Sequence, residues 1–411
     1  MPTAMLHNSV RSGFATINGQ LSVGGVPLSL LAVRVGQTPF YAYDRGLLKS
    51  RVAELRAALP EEISLHYAIK ANPMPALVSF MAGLADGLDV ASGAELRVAL
   101  DAGMNPRDIS LAGPGKSEVE LAQAVAAGIL LNVESTREVK LLGEISSRLG
   151  RAARVAVRVN PAYELKSSGM KMGGGPKQFG IDAEQVPAVL AQVGAAGLAF
   201  EGFHIFSGSQ NLRSEAICEA QTRGLELAVQ LAEHAPRPVT CLNLGGGFGI
   251  PYFPGDQRID LVAIGTHLAG VAEAAKAKLP GAEIVIELGR FLVGEAGVYV
   301  CRVIDRKISR GEVFLVTDGG LHHHLAASGN FGQVIRKNFP VAIGNRIDAP
   351  RAEKASVVGP LCTPLDLLAE RMDLPIAEPG DLVVVFQSGA YGLTASPHRF
   401  LSHPAPVEVL V

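Results

Sequence analysis

The amino-acid sequence predicts an α/β fold in which a (β/α)8 TIM-type barrel is joined to a second, mostly β domain. First, short β-branched runs alternate with longer helical patterns from about residue 44 to 290, the order expected of parallel strands connected by helices. Second, strand patterns punctuated by Gly, Pro and Asp follow one another after residue 290 without clear helices. Third, polar and glycine-rich residues collect at the carboxyl ends of the barrel strands, where barrels of this kind carry their functional sites.

Eight barrel strands are predicted from runs rich in β-branched and other apolar residues. They are Ile63–Ile69, Gly87–Ala91, Ile109–Gly113, Ile129–Val133, Arg154–Val159, Leu198–Ile205, Val239–Leu244 and Glu283–Glu287. Stretches with apolar residues at helical spacing lie between them, among them Ser117–Gly128, Thr136–Leu149, Ser214–His234 and Asp260–Leu279. Eight strands in roughly 245 residues suit a closed barrel better than an open sheet.

The second domain is predicted from strands on both sides of the barrel. Those after the barrel are Gly297–Val303, Glu312–Val316, Ser356–Val358 and Asp381–Phe386. The opening segment Gly13–Val35 is also strand-rich, and Asn18-Gly19 within it favours a hairpin turn. We therefore expect the barrel at residues 38–290 and the β domain at residues 1–37 and 291–411. The low-complexity segment Gly169–Gly180 predicts a mobile loop.

Charge, hydropathy and cysteine content exclude several classes of protein. The formal net charge is −2, which gives no reason to expect nucleic acid or an anionic membrane surface as a partner. Met1–Gly25 lacks a basic stretch followed by an apolar core, and no apolar run reaches the roughly 18 residues of a membrane span. The four cysteines lie far apart in the sequence, without CxxC pairs or the spacing of zinc ligands, and they suit a reducing compartment. We expect a cytoplasmic protein.

Lys70 ends a β-rich run, and the strand pattern breaks after it at Asn72-Pro73. Lysines usually keep their charge in water and lay their stem along the surface. At the end of an apolar strand, desolvation would favour the neutral amine, which can attack a carbonyl. Such a lysine is the usual anchor of pyridoxal phosphate (PLP), although Lys70 alone also fits an ordinary lysine at a strand end.

Two further motifs follow predicted strands. Gly245, Gly246 and Gly247 let backbone N–H groups approach an anion, as phosphate cradles do, although glycine-rich turns are common after barrel strands. Glu287 ends the last barrel strand, where a carboxylate facing a pyridine nitrogen would keep that ring protonated. Arg290 suits phosphate or carboxylate, but a structural Glu–Arg pair at a strand end explains these two residues equally well.

Seven motifs together resemble the PLP-dependent decarboxylases of the alanine-racemase fold, which include diaminopimelate and ornithine decarboxylases. They occur in the family's order over nearly the whole chain: YAIKAN (67–72), GLDVAS (87–92), GFHIFSGSQ (202–210), NLGGGFGIPY (243–252), ELGRFLV (287–293), GPLC (359–362) and GAYG (389–392). The resemblance implies PLP fold type III, PLP as the cofactor and removal of the Cα carboxylate of an amino acid. It also implies a homodimer with shared active sites.

The resemblance implies a role for each matching residue. Lys70 matches the lysine that carries PLP, and Glu287 matches the partner of the pyridine nitrogen. Cys362 matches the cysteine that enters the neighbouring subunit's site and helps to control protonation at Cα. Other cofactor contacts are implied for Asp89, His204, Ser207, Ser209, Gly245, Gly246, Gly247, Gly289, Arg290 and Tyr391. Substrate contacts are implied for Arg290, Cys362, Thr363 and Tyr391.

Departures from the diaminopimelate branch fall on substrate selection, while the PLP motifs are retained. Phe206 replaces the second histidine of HxHIGSQ, so a ring-stacking role could pass to Phe206 or to His204. Gln178 replaces the lysine of KFG, and residues 318–331 replace the RPxLY stretch after DGG. Thr363 replaces a glutamate expected to hold the distal ammonium of diaminopimelate. We therefore expect a diaminopimelate-like or another amino acid as the substrate. One hypothesis is an acyl- or carrier-linked amino acid, as in branches from biosynthetic or exopolysaccharide clusters.

Two other functions share parts of this pattern. A PLP-dependent racemase of this fold would place an arginine against the pyridine nitrogen, so Glu287 argues against it. A non-catalytic PLP-binding protein usually consists of the barrel alone, so the predicted β domain argues against that function.

Three adjacent histidines, His322, His323 and His324, suggest a metal site. Neighbouring residues on a strand point to opposite faces, so all three cannot bind one ion from regular structure. We therefore predict no metal and expect these histidines at the substrate rim or at an interface, with His323 in contact with the substrate.

Overall fold

The computed structural model describes residues 13–163, 170, 171, 173–333 and 336–411. It divides into two compact units. The barrel unit comprises Arg51–Ile250 and Arg258–Phe291, and the sheet unit comprises the described residues up to Ser50 together with Pro251–Gln257 and Leu292–Val411. The N-terminal division falls after Ser50 and not after residue 37, because the strand Phe40–Tyr43 pairs within the sheet unit.

Eight parallel strands form a closed barrel in the barrel unit. They are β1 (Ile63–Ala68), β2 (Gly87–Val90), β3 (Ile109–Leu111), β4 (Leu130–Val133), β5 (Arg154–Asn160), β6 (Ala199–His204), β7 (Cys241–Gly246) and β8 (Glu283–Leu288). Neighbours follow the order β5-β6-β7-β8-β1-β2-β3-β4, and β4 pairs with β5 to close the ring. All eight predicted strands are confirmed, with small shifts at their ends.

Helices connect the barrel strands. They are α1 (Pro75–Ala82), α2 (Gly93–Asp101), α3 (Glu118–Ala127), α4 (Thr136–Leu149), α5 (Val186–Ala195), α6 (Ser214–Ala232) and α7 (Leu261–Lys278). Local sequence explains the ends of α3: Ser117 and Glu120 form a reciprocal capping box, and Gly128 ends the helix with a φ of 80°. No helix in the described ranges is both long enough and apolar enough to cross a bilayer.

The sheet unit is built around a mostly antiparallel sheet. Its longest strand, Gly297–Ser309, pairs antiparallel with Phe40–Tyr43, Glu312–Thr317 and Leu382–Val385. Other strands extend this sheet, namely Val341–Ile343, Glu353–Val358, Leu367–Leu374 and Val407–Leu410. The four strands predicted after the barrel are confirmed.

The prediction of strands throughout Gly13–Val35 is wrong in its second half. Thr16–Ile17, Gln20–Val23 and Val26–Pro27 are short strands, and Asn18 and Gly19 form the predicted turn with φ values of 52° and 74°. Leu28–Val35, however, is a helix whose buried residues Leu28, Leu31 and Ala32 recur at helical spacing. Packing of this apolar face in the core of the sheet unit overrides the local strand pattern.

The segment predicted as a mobile loop is only partly described. Gly169 and Met172 lie outside the described residues. Gly174 N donates to Asn160 Oδ1 (3.0 Å) and Asn160 Nδ2 donates to Gly175 O (3.0 Å). These bonds tie this part of the segment to the end of β5.

Candidate active site

Lys70 lies at the carboxyl end of β1, in the 3-10 turn Ile69–Ala71. The turn is held by Tyr67 Oη, which donates to Asn72 O (2.8 Å). The expected desolvation of Lys70 is wrong, because its side chain is exposed although the turn residues on either side are buried. Lys70 Nζ lies 5.8 Å from the centroid of the Phe206 ring, within the range of a cation–π contact.

Glu287, on β8, is a buried carboxylate with two polar partners. His204 Nε2 on β6 lies 3.5 Å from Glu287 Oε2, an ion-pair distance longer than an ordinary hydrogen bond. Asn243 Nδ2 on β7 donates to the same oxygen (3.3 Å). Burial alone would raise the pKa of this carboxyl, but nearby His204, Lys70 and Arg158 outweigh burial and hold the pKa below its usual range. Glu287 is therefore ionised at neutral pH.

Asp89, on β2, is buried among polar side chains. Ser110 Oγ donates to Asp89 Oδ1 (2.5 Å), and His66 Nδ1 lies 3.2 Å from the same oxygen. Burial alone would lower the pKa of His66, but the Asp89 carboxylate outweighs burial and the pKa is raised. Asp89 Oδ2 is buried without a hydrogen-bond partner among the described residues, so it is an acceptor whose bond is still to be made.

The glycines Gly245, Gly246 and Gly247, at the carboxyl end of β7, make close contacts. A Cβ at Gly247 would lie 1.9 Å from Gly208 O, and a Cβ at Gly245 would lie 2.4 Å from Phe206 Cδ2. Gly245 and Gly247 also have positive φ values, 65° and 73°, which favour glycine. Ser209 Cα is 3.5 Å from the Cβ position of Gly247, and Ser209 Oγ is buried without a hydrogen-bond partner among the described residues. Gly245 N donates to Asn243 Oδ1 (2.7 Å), so the Ser209 hydroxyl beside this glycine cradle is the group that suits a phosphate as a donor.

Two further predicted cofactor residues, Gly246 and Gly289, pack against Glu287 and against the turn that carries Lys70. A Cβ at Gly246 would lie 2.2 Å from Glu287 O, and one at Gly289 would lie 2.8 Å from Ala71 Cβ. Ser207 is buried, and Arg290 is half-buried at the start of the short helix Arg290–Val293.

Three predicted site residues belong to the sheet unit. Cys362 is exposed, and Thr363 follows it in a turn closed by a bond from Thr363 N to Leu361 O (2.8 Å). Tyr391 is half-buried and has a φ of 53°. The roles of these residues in the site remain predictions.

The expected contact between His323 and the substrate does not fit its surroundings. His323 is 1% exposed, and its Nε2 lies 2.9 Å from Pro404 O while its Nδ1 lies 3.2 Å from Tyr299 Oη. Since a carbonyl only accepts, His323 Nε2 carries the hydrogen, and the hydroxyl of Tyr299 donates to Nδ1. Both nitrogens are therefore used inside the sheet unit, and the ring has a structural role.

The neighbouring histidines are also buried. Burial lowers the pKa values of His322, His323 and His324 to about 3, 4 and 3, so all three rings are neutral at physiological pH. His324 Nε2 lies 2.8 Å from Ser388 Oγ, and its Nδ1 accepts from Ala327 N (3.2 Å). The described residues contain no group of three His, Cys, Asp or Glu side chains arranged to hold a metal ion.

Sequence reasoning missed a buried ion network at the carboxyl ends of β3, β4 and β5. Arg158 Nη1 lies 2.9 Å from Glu134 Oε1, and Lys116 Nζ lies 3.1 Å from Glu138 Oε1. Glu134 Oε2 also accepts from Gly180 N (3.0 Å). The signal was available in the sequence, because Arg158 interrupts an apolar strand and a buried charge needs a partner. Through Arg158, the network helps to keep Glu287 ionised.

Glu134→Ala is expected to lower the free energy of unfolding by about 3–5 kcal/mol, because it leaves Arg158 buried without its carboxylate. Urea unfolding monitored by circular dichroism measures the effect. Glu118→Ala is the matched control, since it breaks an ion pair with Arg148 whose side chains are 54% and 58% exposed. The control should cost less than about 1 kcal/mol, and an equal cost for both variants would contradict the role assigned to the network.

The residues at this end of the barrel fit PLP in three respects. Lys70 offers an exposed amine, and Glu287 offers a buried, ionised carboxylate for a ring nitrogen. Ser209 Oγ, which has no hydrogen-bond partner among the described residues, offers a donor for a phosphate beside the glycine run. These are the three chemical features that distinguish the cofactor: an aldehyde, a pyridine nitrogen and a phosphate.

Comparisons with known proteins agree with this fit. Residues 45–294 match the family model described as pyridoxal-dependent decarboxylase, pyridoxal binding domain. The chain is 40% identical over 380 residues to the L-glutamyl-[BtrI acyl-carrier protein] decarboxylase of Niallia circulans, covering 91% of this chain and 89% of that protein. It is 33% identical over 401 residues to the diaminopimelate decarboxylase of Aquifex aeolicus, covering 96% of this chain and 91% of that protein.

Solved structures give the same result for the fold. The diaminopimelate decarboxylase of Helicobacter pylori complexed with L-lysine superposes with a TM-score of 0.82 at 27% identity, covering 93% of this chain and 94% of that chain. The diaminopimelate decarboxylase of M. jannaschii, in complex with L-lysine, gives a TM-score of 0.87 at 25% identity, covering 98% of this chain and 93% of that chain.

Proposed function

Since this chain belongs to the pyridoxal-dependent decarboxylase family, we propose that it removes the Cα carboxylate of an amino acid whose distal end is attached to a carrier protein. The observation that carries the reaction is the presence of the Lys70 amine and the ionised Glu287 carboxylate at the same end of the barrel. Lys70 is among the groups that lower the pKa of Glu287, so the two side chains interact electrostatically.

The barrel unit would supply the groups that hold and tune the cofactor. Lys70 Nζ would bond to the cofactor and give up this position to the amine of the substrate. When bound, PLP supplies a protonated ring that takes up the electron pair left as carbon dioxide departs. Glu287 would keep the proton on the ring nitrogen, while Ser209 and the glycine cradle would bind the phosphate.

The bond between Cα and the carboxylate carbon breaks, its electron pair stays on the Cα side, and carbon dioxide leaves. A proton must then return to Cα to give the product amine. We assign this step to the partner subunit's Cys362 in a homodimer, because Cys362 is exposed on its own subunit and matches the family's cysteine. Light scattering tests the dimer. A Cys362→Ala variant tests the proton return.

The carrier-linked substrate is supported by Thr363 and by the comparisons. The Thr363 hydroxyl cannot supply the negative charge that would balance a distal ammonium group on the substrate. Identity is also higher to the carrier-linked glutamyl decarboxylase, at 40%, than to the diaminopimelate decarboxylase of Aquifex aeolicus, at 33%. An amide or thioester at the distal end would need no such counter-charge.

Carbon dioxide release is expected to be at least about a hundredfold more efficient, in kcat/KM, on carrier-bound glutamate than on free diaminopimelate. The assay compares carrier-bound glutamate with free glutamate, diaminopimelate, ornithine and arginine at equal concentrations. Glutamate on pantetheine without the carrier protein is the control that separates recognition of the carrier from recognition of the neutralised distal end. High efficiency on free diaminopimelate would overturn the substrate proposal and leave the decarboxylase assignment in place.

We also propose a cytoplasmic location. The four cysteines, Cys218, Cys241, Cys301 and Cys362, are all unpaired, which suits a reducing compartment. Fractionation of the producing cells tests this proposal.

A further inference from the structure

We infer that the barrel has a second binding site, for a small phosphorylated anion, in a cavity at the amino-terminal end of its strands. The cavity has a volume of about 740 Å³, within the range of roughly 300–1,000 Å³ that small-molecule sites occupy. It lies at the opposite end of the barrel from Lys70 and Glu287, because its lining residues come just before or near the start of barrel strands. The inference therefore does not rest on the proposed function.

Four arginines line the cavity, and each comes from a segment at the amino-terminal end of a strand. Arg107 precedes β3, Arg151 precedes β5, Arg154 begins β5 and Arg237 precedes β7. The same lining contains one carboxylate, that of Glu201 on β6. Three of the four positive charges therefore have no counter-charge in the lining, and a concave surface of one sign of charge concentrates ions of the opposite sign.

Arg154 and Glu201 form an ion pair that is a structural part of the cavity. Arg154 Nε and Nη2 donate to the two carboxylate oxygens of Glu201 (2.6 and 2.9 Å). Arg154 Nη1 donates to the carbonyls of Arg107 and Gly128, both at 3.1 Å. Most of the N–H groups of Arg154 are thus used inside the protein and its charge is balanced, so an anion would have to be bound by the other arginines.

Arg151 lies over the end of α3, where one hydrogen bond holds it. Its Nη1 donates to Ala126 O (2.7 Å), and a Cβ at Gly128 would lie 1.7 Å from Arg151 Nη2. A side chain at position 128 would therefore displace this guanidinium group. Arg151 and Arg154 together bind carbonyls at the end of the helix, which carry partial negative charge and would otherwise repel an anion.

Arg107 and Arg237 supply charges that are free to bind. Both residues are exposed, and within the described part of the chain their guanidinium groups form no hydrogen bond and no ion pair. A guanidinium group binds phosphate through two parallel N–H bonds. A phosphoryl group has three acceptor oxygens, whereas a carboxylate has two. Three arginines that reach one cavity from three loops therefore suit a phosphorylated ligand better than a carboxylate.

The test measures the binding of pyrophosphate to the full chain loaded with PLP, by isothermal titration calorimetry. Bound PLP keeps the probe out of the active site. Arg107→Ala and Arg237→Ala should each raise the dissociation constant for pyrophosphate by roughly tenfold or more, the loss expected for a hydrogen bond to a charged group. Both side chains are exposed, so the variants should keep the circular dichroism spectrum and the PLP absorption of the wild type.

Arg137→Ala is the matched control, because Arg137 is an exposed arginine in the first turn of α4 and does not line the cavity. It should bind pyrophosphate as the wild type does. A parallel titration with ATP identifies the source of the phosphoryl group. An affinity for ATP more than about tenfold higher than for pyrophosphate would assign the site to a nucleotide, and an equal or lower affinity would assign it to the polyphosphate group alone.

Two results would overturn the inference. In the first, neither pyrophosphate nor ATP binds to the PLP-loaded protein. In the second, Arg107→Ala and Arg237→Ala bind pyrophosphate as tightly as Arg137→Ala does, which would place the bound anion outside the cavity.

Discussion

Replacement of Lys70 by alanine is expected to lower carbon dioxide release by on the order of a thousandfold or more, because the cofactor then has no amine to hold it in covalent linkage. The variant should also lose the visible absorption that depends on this linkage. Lys70 is exposed at the end of β1, so its removal should leave the fold intact. Steady-state assays and absorption spectra of the purified variant measure both effects.

Lys278→Ala is the matched control, since Lys278 is also exposed and lies at the end of α7. It should retain wild-type activity and absorption. Lys70→Arg keeps the positive charge without a nucleophilic amine, because arginine stays protonated in proteins. Substantial activity in Lys70→Arg would mean that charge at this position is sufficient, and would contradict covalent catalysis by Lys70.

Replacement of Glu287 by glutamine is expected to lower kcat by on the order of a hundredfold to a thousandfold, with a small effect on KM. The amide keeps the shape of the side chain but removes the charge that would hold the ring nitrogen protonated. The carbanion that forms as carbon dioxide leaves is then less stabilised, whereas binding of the substrate is unaffected. Separate measurement of kcat and KM makes this distinction.

Glu283→Gln provides the comparison for this variant. Glu283 begins the same strand, β8, but it is exposed at the opposite end of the barrel. Its replacement should change kcat by less than about twofold, as expected for a surface substitution. Equal losses in the two variants would indicate a general effect of charge on the barrel and not a specific role of Glu287.

The sequence was sufficient to predict the barrel and the order of its strands, because the spacing of apolar residues and the local composition can be followed directly along the chain. Parallel strands covered on both faces are nearly continuous apolar runs, and helices between them repeat at 3.6 residues. Lys70 and Glu287 were predicted because each ends such a run. The helix Leu28–Val35 was missed because its eight residues are too few to outweigh the strand pattern around them, and only tertiary packing decides such segments.

Contacts across the sheet could not be predicted from the pattern. Arg158 is on β5 and Glu134 directly follows β4, and only the register of β4 against β5 brings them together. The exposure of Lys70 depends on the conformation of one turn after β1. The repeat of apolar residues in strands and helices gives no information about that turn. His323 was misplaced because adjacent histidines look like functional residues, whereas burial and two local partners define them as part of the core.

The most direct test of the covalent linkage is borohydride reduction of the PLP-loaded protein followed by peptide mapping. The predicted result is a pyridoxyl group on a single peptide, attached to Lys70, with the other lysines unmodified. A label on another lysine, or no stable label in a protein that nevertheless releases carbon dioxide from its substrate, would contradict the assignment of Lys70 and with it the proposed mechanism.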